Sequence, residues 1–509
     1  MKRIRIFLMA AIPVAVFLHP QLAAQPVYRE QYRPQIHFSP KEKWTNDPNG
    51  MVYAGGIYHL FFQYYPDSTV WGPMHWGHAV SSDLVHWQQE PIALYPDSLG
   101  YIFSGSAVLD RNNTSGFGTA GTAPLVAIFT QHDPKGEKDR RNDYQNQSIA
   151  YSLDNGKTWK KYRHNPVLKN PGMKDFRDPK VFWYQPGRKW VMTLAAGDRV
   201  GFYSSPDLKT WKRESEFGNQ AGAHGGVWEC PDLFTLDDKG KLVWVLIVNI
   251  NPGGPNKGSA TQYFLGSFDG REFKPYSTGT KWVDYGPDDY AGVTWSNTGG
   301  RRIFLGWMSN WLYANTVPTG RWRNAMTIPR ELSLKHAGGD LRLASTPVKE
   351  LDKIGGKPMV TDNKTTGRNM DLSEKIQQIN SPCRIDLTIG KLADFSLVLS
   401  NQQGQELSLG YNQGQNQFYI DRSKSGKTDF NQEFAARHTA PRFASSPAST
   451  ISLIIDNSSV ELFADDGLTV MTEIFFPDTP YNQMHLQSPG PRPLSVEKME
   501  YVPLKSIWK

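Results

Sequence analysis

Asp47-Pro48-Asn49-Gly50-Met51-Val52-Tyr53-Ala54-Gly55-Gly56-Ile57-Tyr58-His59-Leu60-Phe61-Phe62-Gln63-Tyr64 is a polar turn, a short apolar run, a two-glycine turn and a second apolar run. Two runs of strand formers split by Gly-Gly read as a β-hairpin, because glycine alone enters the tight primed turns without steric cost. The outline recurs four more times. Ser104-Gly105-Ser106 leads into Ala107-Val108-Leu109 and, after a longer loop, residues 125–130. Asp178-Pro179 leads into 181–184, a turn at Pro186-Gly187, and 190–194. Glu229-Cys230-Pro231-Asp232 leads into 233–236 and 242–248, and Tyr290-Ala291-Gly292 leads into 293–295, Gly299-Gly300 and 303–308.

A second element falls between these units. Ser82-Asp83-Leu84-Val85-His86-Trp87 resembles Asp154-Asn155-Gly156-Lys157-Thr158-Trp159 and Pro206-Asp207-Leu208-Lys209-Thr210-Trp211, with Asp269-Gly270-Arg271-Glu272-Phe273 a weaker copy. An Asp turn followed by an aromatic reads as the outer hairpin of each unit. Amphipathic helical periodicity is nearly absent. Five four-stranded units spaced by about 50–75 residues predict an all-β fold, a five-bladed β-propeller. In that architecture the innermost strands start near one mouth of the central channel, where residues far apart in sequence converge. Three of the five starts carry a carboxylate: Asp47, Asp178 and Glu229.

The remaining chain divides by texture. Residues 1–24 read as a secretory signal peptide, with Lys2, Arg3 and Arg5 ahead of an apolar stretch, 6–18, and Leu22-Ala23-Ala24 as a small-residue cleavage site. The propeller is expected over 25–340, a connector over 341–383, and a C-terminal β-sandwich over 384–509, where short alternating strands are joined by turns such as Asn457-Ser458-Ser459 and Asp465-Asp466-Gly467. A soluble protein exported to the periplasm or beyond the cell is implied, with no membrane insertion once the leader is removed.

Of the formal charge of +7 on 509 residues, the leader supplies three positive charges, and the +4 that remains is too dispersed for a nucleic-acid partner. Aromatic residues make up 12%, which suits both sugar platforms and β-rich cores. Cys230 and Cys383 could pair as a disulfide, which a chain this large does not need, and they read as two free buried thiols. His75, His78 and His86 follow no zinc pattern, so no metal is assigned, and no cofactor is expected. Asp284, Asp288 and Asp289 suit a calcium site by composition, but are read as a turn cluster at the fifth blade mouth, with Asp288 or Asp289 a candidate substrate contact.

Glycosidic cleavage needs one carboxyl group to protonate the leaving oxygen and a second to attack the anomeric carbon or activate water. Carboxylates at converging blade starts meet that need. His37-Phe38-Ser39-Pro40 with Trp44-Thr45-Asn46-Asp47-Pro48-Asn49-Gly50 resembles the opening signature of the invertase, inulinase and levanase family of glycoside hydrolases, family 32. Phe103-Ser104-Gly105-Ser106-Ala107, Phe176-Arg177-Asp178-Pro179-Lys180 and Trp228-Glu229-Cys230-Pro231-Asp232-Leu233-Phe234 resemble its later motifs, in the family's order.

The resemblance implies that Asp47 is the nucleophile toward a fructofuranosyl unit, Glu229 the general acid/base, and Asp178 a stabiliser of the transition state. It implies that Arg177 sits beside Glu229, and that Asn46, Gln63, Trp71, Ser104 and Trp311 complete the fructose subsite. The implied activity is an exo-acting, retaining β-fructosidase acting on levan or inulin and on sucrose. An endo-levanase, a fructosyltransferase, a hydrolase of other furanosides such as arabinan, and a non-catalytic fructan-binding protein stay open, as do Asp232 as a rival acid and the oligomeric state.

Overall fold

The computed structural model describes residues 27–119, 121–365, 369–374, 382–490 and 494–508, so the expected signal peptide lies outside the described residues. The five units fold as the five blades of a β-propeller, followed by a β-sandwich of two six-stranded sheets. The innermost strands are Lys43–Ala54, Tyr101–Leu109, Phe176–Tyr184, Val227–Asp238 and Tyr290–Thr294. Each pairs antiparallel with the strand that follows it, and three successive pairings complete the first four blades outward.

The turns are where the composition puts them. Ala54 pairs with Ile57, and Gly55 and Gly56 both take positive φ, 57° and 82°, as a two-residue primed turn requires. The Asp-plus-aromatic element joins the third and fourth strands of blades one to four. Its Asp side chain accepts backbone N–H groups within the turn, as Asp83 does from Val85 and His86, and Asp207 from Lys209 and Thr210. In blades two and three the Trp indole closes the turn by donating to a carbonyl three residues back.

Closure of the ring is not legible in the repeat. Between the second and third strands of blade five the chain turns back, and Trp322–Arg323 pairs in parallel with Lys43 and Trp44 on the edge of blade one's innermost strand. That clasp joins the last blade to the first and covers an otherwise open edge.

The stretch expected as a connector carries strands of both units. Asp340–Pro347 is the outermost strand of blade five, Met359–Thr365 pairs with Ser495–Pro503 in one sandwich sheet, and Asn369–Asp371 pairs with Gln483–Gln487 in the other. Only the short 3-10 helix Lys349–Ile354 lies between. The hydrophobic core runs across the junction, where Trp44, Trp307 and Ile328 share one buried cluster with Ile454, Phe463 and Val502.

Buried ions also cross the junction, and they account for the aspartates at the fifth blade mouth. Asp284 and Asp289 accept from Arg330 at 2.9 and 3.1 Å, and Asp288 accepts from Arg422 at 2.6 Å. All three are buried and held by arginines, Arg422 from the sandwich and Arg330, which also donates to Glu461 of the sandwich, so the candidate substrate contact at Asp288 or Asp289 is corrected: both carboxylates belong to the ion network at the domain junction.

Candidate active site

One feature of the innermost strands builds the site. Each carries a β-bulge near its mouth end, with an extra residue set against its partner strand. The bulges fall between Thr45 and Pro48, Ile102 and Gly105, Arg177 and Lys180, Glu229 and Asp232, and Tyr290 and Val293. A bulge breaks the alternation of a strand and re-aims its side chains. Asn46, Asp47, Ser104, Asp178 and Cys230 all lie within bulges. Asp178, Cys230 and Ala291 take left-handed backbone, with φ of 66°, 44° and 53°. Such strain is held only where the surrounding structure imposes it.

The three carboxylates meet around Cys230. Its backbone N–H donates to Asp178 Oδ2 at 3.0 Å, and its Sγ lies 3.7 Å from Asp47 Oδ2 and 3.6 Å from Asp178 Oδ2. Asp47 accepts from Asn46 Nδ2 at 2.8 Å and from Ser104 Oγ at 2.9 Å, one donor to each oxygen. Glu229 Oε1 accepts from Arg177 Nη2 at 2.9 Å and Nε at 3.2 Å, while the Tyr290 hydroxyl donates to Oε2. Arg177 is itself fixed by Asp175 at 2.6 Å.

Burial and then the Glu229 charge push the Asp47 carboxyl above its usual range, against the pull of the Asn46 and Ser104 donors. Burial pushes Asp178 up to about 7, with Arg177 opposing and the Glu229 and Asp47 charges adding. Burial works against the Arg177 cation, but the charges of Glu229, Asp178 and Asp175 outweigh it and hold the guanidinium protonated. The Cys230 thiol is pushed well up by burial and by the neighbouring carboxylates, which keeps it in the unreactive neutral form.

The three carboxylates and Arg177 line a cavity of about 260 Å³, and all nine site residues named from the sequence, including Gln63, Trp71 and Trp311, are in its wall. Its depth is graded. Asn46, Gln63, Ser104 and Asp178 are buried at the floor, and Trp71 at the rim is 39% exposed. Trp311 packs on Trp44 and Trp307, with ring centroids 5.9 and 4.9 Å away. Asp232, the rival acid, is outside this wall. It accepts from Thr294 at 2.7 Å and pairs with Lys180 at 3.0 Å.

Sequence reasoning missed Tyr290, Asp175, Glu137, Tyr144 and Asn251. Tyr290 opens the fifth unit, the same repeat position that pointed to the carboxylates. The others sit in connections or at strand ends outside the repeat, and Glu137 lies on a one-turn helix, Pro134–Lys138, where no periodic signal marks them. A larger cavity of about 330 Å³ lies between the N-terminal segment and the sandwich, lined by Tyr32, Cys383 and Tyr481 among others. It is more apolar, and Asp47, Asp178 and Glu229 line the other cavity.

Carboxylates from blades one, three and four around a small polar pocket with aromatic walls define a glycosidase-type site. Residues 37–347 match the glycosyl hydrolases family 32 N-terminal domain, and residues 350–503 match the family 32 C-terminal domain. The chain is 46% identical to a levanase of Bacillus subtilis (strain 168), covering 100% of this chain and 75% of the levanase. It is 40% identical to the extracellular exo-inulinase inuE of Aspergillus niger, covering 91% and 93% of the two chains. The crystal structure of an exo-inulinase from Aspergillus awamori superposes with a TM-score of 0.85 at 36% identity, covering 94% of this chain and 100% of that one. The chain belongs to glycosyl hydrolase family 32, and it is a glycoside hydrolase.

Proposed function

We propose that the protein is an exo-acting, retaining β-fructosidase that removes terminal fructofuranosyl units from levan or inulin and also cleaves sucrose. The carrying observation is the graded pocket. Partly buried Asp47 and Glu229 stand beside buried Asn46, Gln63, Ser104 and Asp178 in a cavity of about 260 Å³, a size that suits one terminal sugar unit. The levanase and exo-inulinase relatives support a fructan as substrate.

In the first step Asp47 attacks the anomeric carbon while Glu229 gives a proton to the departing glycosidic oxygen, leaving a fructosyl ester on Asp47. In the second, Glu229 takes a proton from water as that water attacks the anomeric carbon, releasing fructose and restoring both carboxyl groups. Arg177 and Tyr290 hold the two Glu229 oxygens in place throughout, so that little reorganisation accompanies proton transfer. Asn46 and Ser104 fix the Asp47 oxygens, and Asp178 binds fructose hydroxyls and offsets the positive charge that develops on the ring.

Export to the periplasm or the medium fits a polymeric substrate, and the leader-like residues 1–24 together with the extracellular relative support it. Fructose release from levan, inulin and sucrose, measured side by side with an Asp47→Asn control, tests the reading. Fructose as the first product from at least one polymer, absent in the control, is expected. Oligosaccharides as first products would point to endo cleavage, and products longer than sucrose at high sucrose to transfer.

A further inference from the structure

Both aromatic walls of the pocket depend on one loop, residues 309–316, that follows strand Ile303–Met308 of blade five. Trp311 belongs to it directly. Trp71 depends on it through its backbone, since the Trp71 N–H donates to Asn315 Oδ1 at 3.0 Å. The propeller anchors the loop at both ends, where Asn310 Nδ2 donates to the Pro287 carbonyl at 2.8 Å and Arg323 donates to the Asn315 carbonyl.

Between those two anchors, Leu312 and Tyr313 are gripped by the sandwich as well. Arg422, on strand Gln417–Lys424, donates from Nη2 to the Tyr313 hydroxyl at 2.8 Å and from Nη1 to Asp288 at 2.6 Å. The Tyr313 hydroxyl passes its own proton bond to Asp288 at 2.5 Å, closing a buried three-membered ring of partners. Phe434 meets the Tyr313 ring edge to face at 5.1 Å, and the Arg422 guanidinium lies 3.9 Å from the Phe434 ring centre. A second, independent grip comes from Asn431, whose Nδ2 donates to the Leu312 carbonyl at 2.9 Å. The loop carries no strand or helix of its own, and a surface segment of that kind is mobile unless tied down.

We propose that Arg422 and Asn431 of the β-sandwich are positioning residues for the sugar pocket: by holding Tyr313 and Leu312 they fix the 309–316 loop, and with it the Trp311 and Trp71 walls. The sandwich thereby serves substrate binding without touching substrate. This rests on the reading above that the two tryptophans contact the sugar.

Two variants test it without demanding that a buried arginine be removed. Tyr313→Phe deletes the hydroxyl that links Arg422 to the loop, and Asn431→Ala deletes the exposed grip. Each is expected to raise KM about tenfold while leaving kcat within about twofold, since a loosened wall costs binding before chemistry. Combined with Trp311→Ala, either variant is expected to add far less than its separate effect, because the wall it positions is already gone. Hydrogen exchange of the 311–316 amides, measured on the whole protein without substrate, is expected to quicken in both. Unchanged exchange and unchanged KM in an active protein overturn the positioning role, as does full additivity with Trp311→Ala. A wild-type protein that releases no fructose overturns the proposed function instead, and the exchange measurement still decides whether the sandwich holds the loop.

Discussion

Cys230 sits between two carboxylates of the site. Its N–H and its thiol both face Asp178, and the thiol also faces Asp47, so two carboxylates share one small neighbour. Asp178 carries the cost of its burial, with Arg177 opposing and the Glu229 and Asp47 charges adding to it. Its folded value of about 7 stands above the ordinary 3.8, so its contribution to stability is fully present below about 3.8 and is lost as pH rises through about 7. Asp178→Asn is therefore expected to lose activity yet to gain stability over the wild type above pH 7, by on the order of 3–4 kcal/mol, with little gain near pH 4. Denaturant unfolding of both proteins across that range checks this; a pH-independent difference would refute it. The identity of the carboxylates was legible in the sequence because they open repeat units. Their electrostatics were not, since the proximity of Asp47, Asp178 and Glu229 is a property of ring closure and not of any local stretch.

At the scale of elements, the repeat was legible because turns have composition. Gly-Gly and Asp-aromatic signals name their own geometry, and the hairpins form where those residues fall. The bulges were hidden, because an extra residue in a strand changes pairing and leaves no periodic trace over so few positions. Gly50 shows how tightly one is held. It lies between the paired positions Asn49 and Val52, with φ of 59°, and a Cβ there would come within 2.7 Å of Trp76 and 2.8 Å of Phe61. Gly50→Ala would combine left-handed strain with overpacking and is expected to cost about 2–4 kcal/mol. It should also lower kcat, because Asp47 sits three residues away on the same distorted strand. A melting curve and a kcat measurement decide it, and an unchanged Tm would mean that the strand relaxes freely.

For the molecule as a whole, the junction is ionic as well as apolar. His37, at the start of the propeller, is fully buried with Nδ1 2.8 Å from Asp456 and Nε2 2.8 Å from Glu461, both in the sandwich. Burial opposes its charge, but the two carboxylates prevail and push it up to about 9 from 6.5. Its stabilisation is thus fully present below about 6.5 and lost as pH rises through about 9. His37→Asn is expected to cost on the order of 3 kcal/mol near pH 6, and distinctly less near pH 9.5. Unfolding free energies at the two pH values test this, and an equal cost at both would contradict it. The sequence predicted a sandwich at the C-terminus but no account of its attachment. Arg330, Glu461 and Asp284 are ordinary surface types until the two domains meet and bury them.

In the proposed mechanism Asp47 of blade one and Glu229 of blade four act on one bond in two steps. The most direct test is to trap the intermediate between them. A Glu229→Ala protein, mixed with a fructosyl donor whose leaving group departs without protonation and then acid-quenched, should carry one added fructosyl group on the peptide containing Asp47, because no base remains to activate water. No adduct, or an adduct on Asp178, would contradict the assignment.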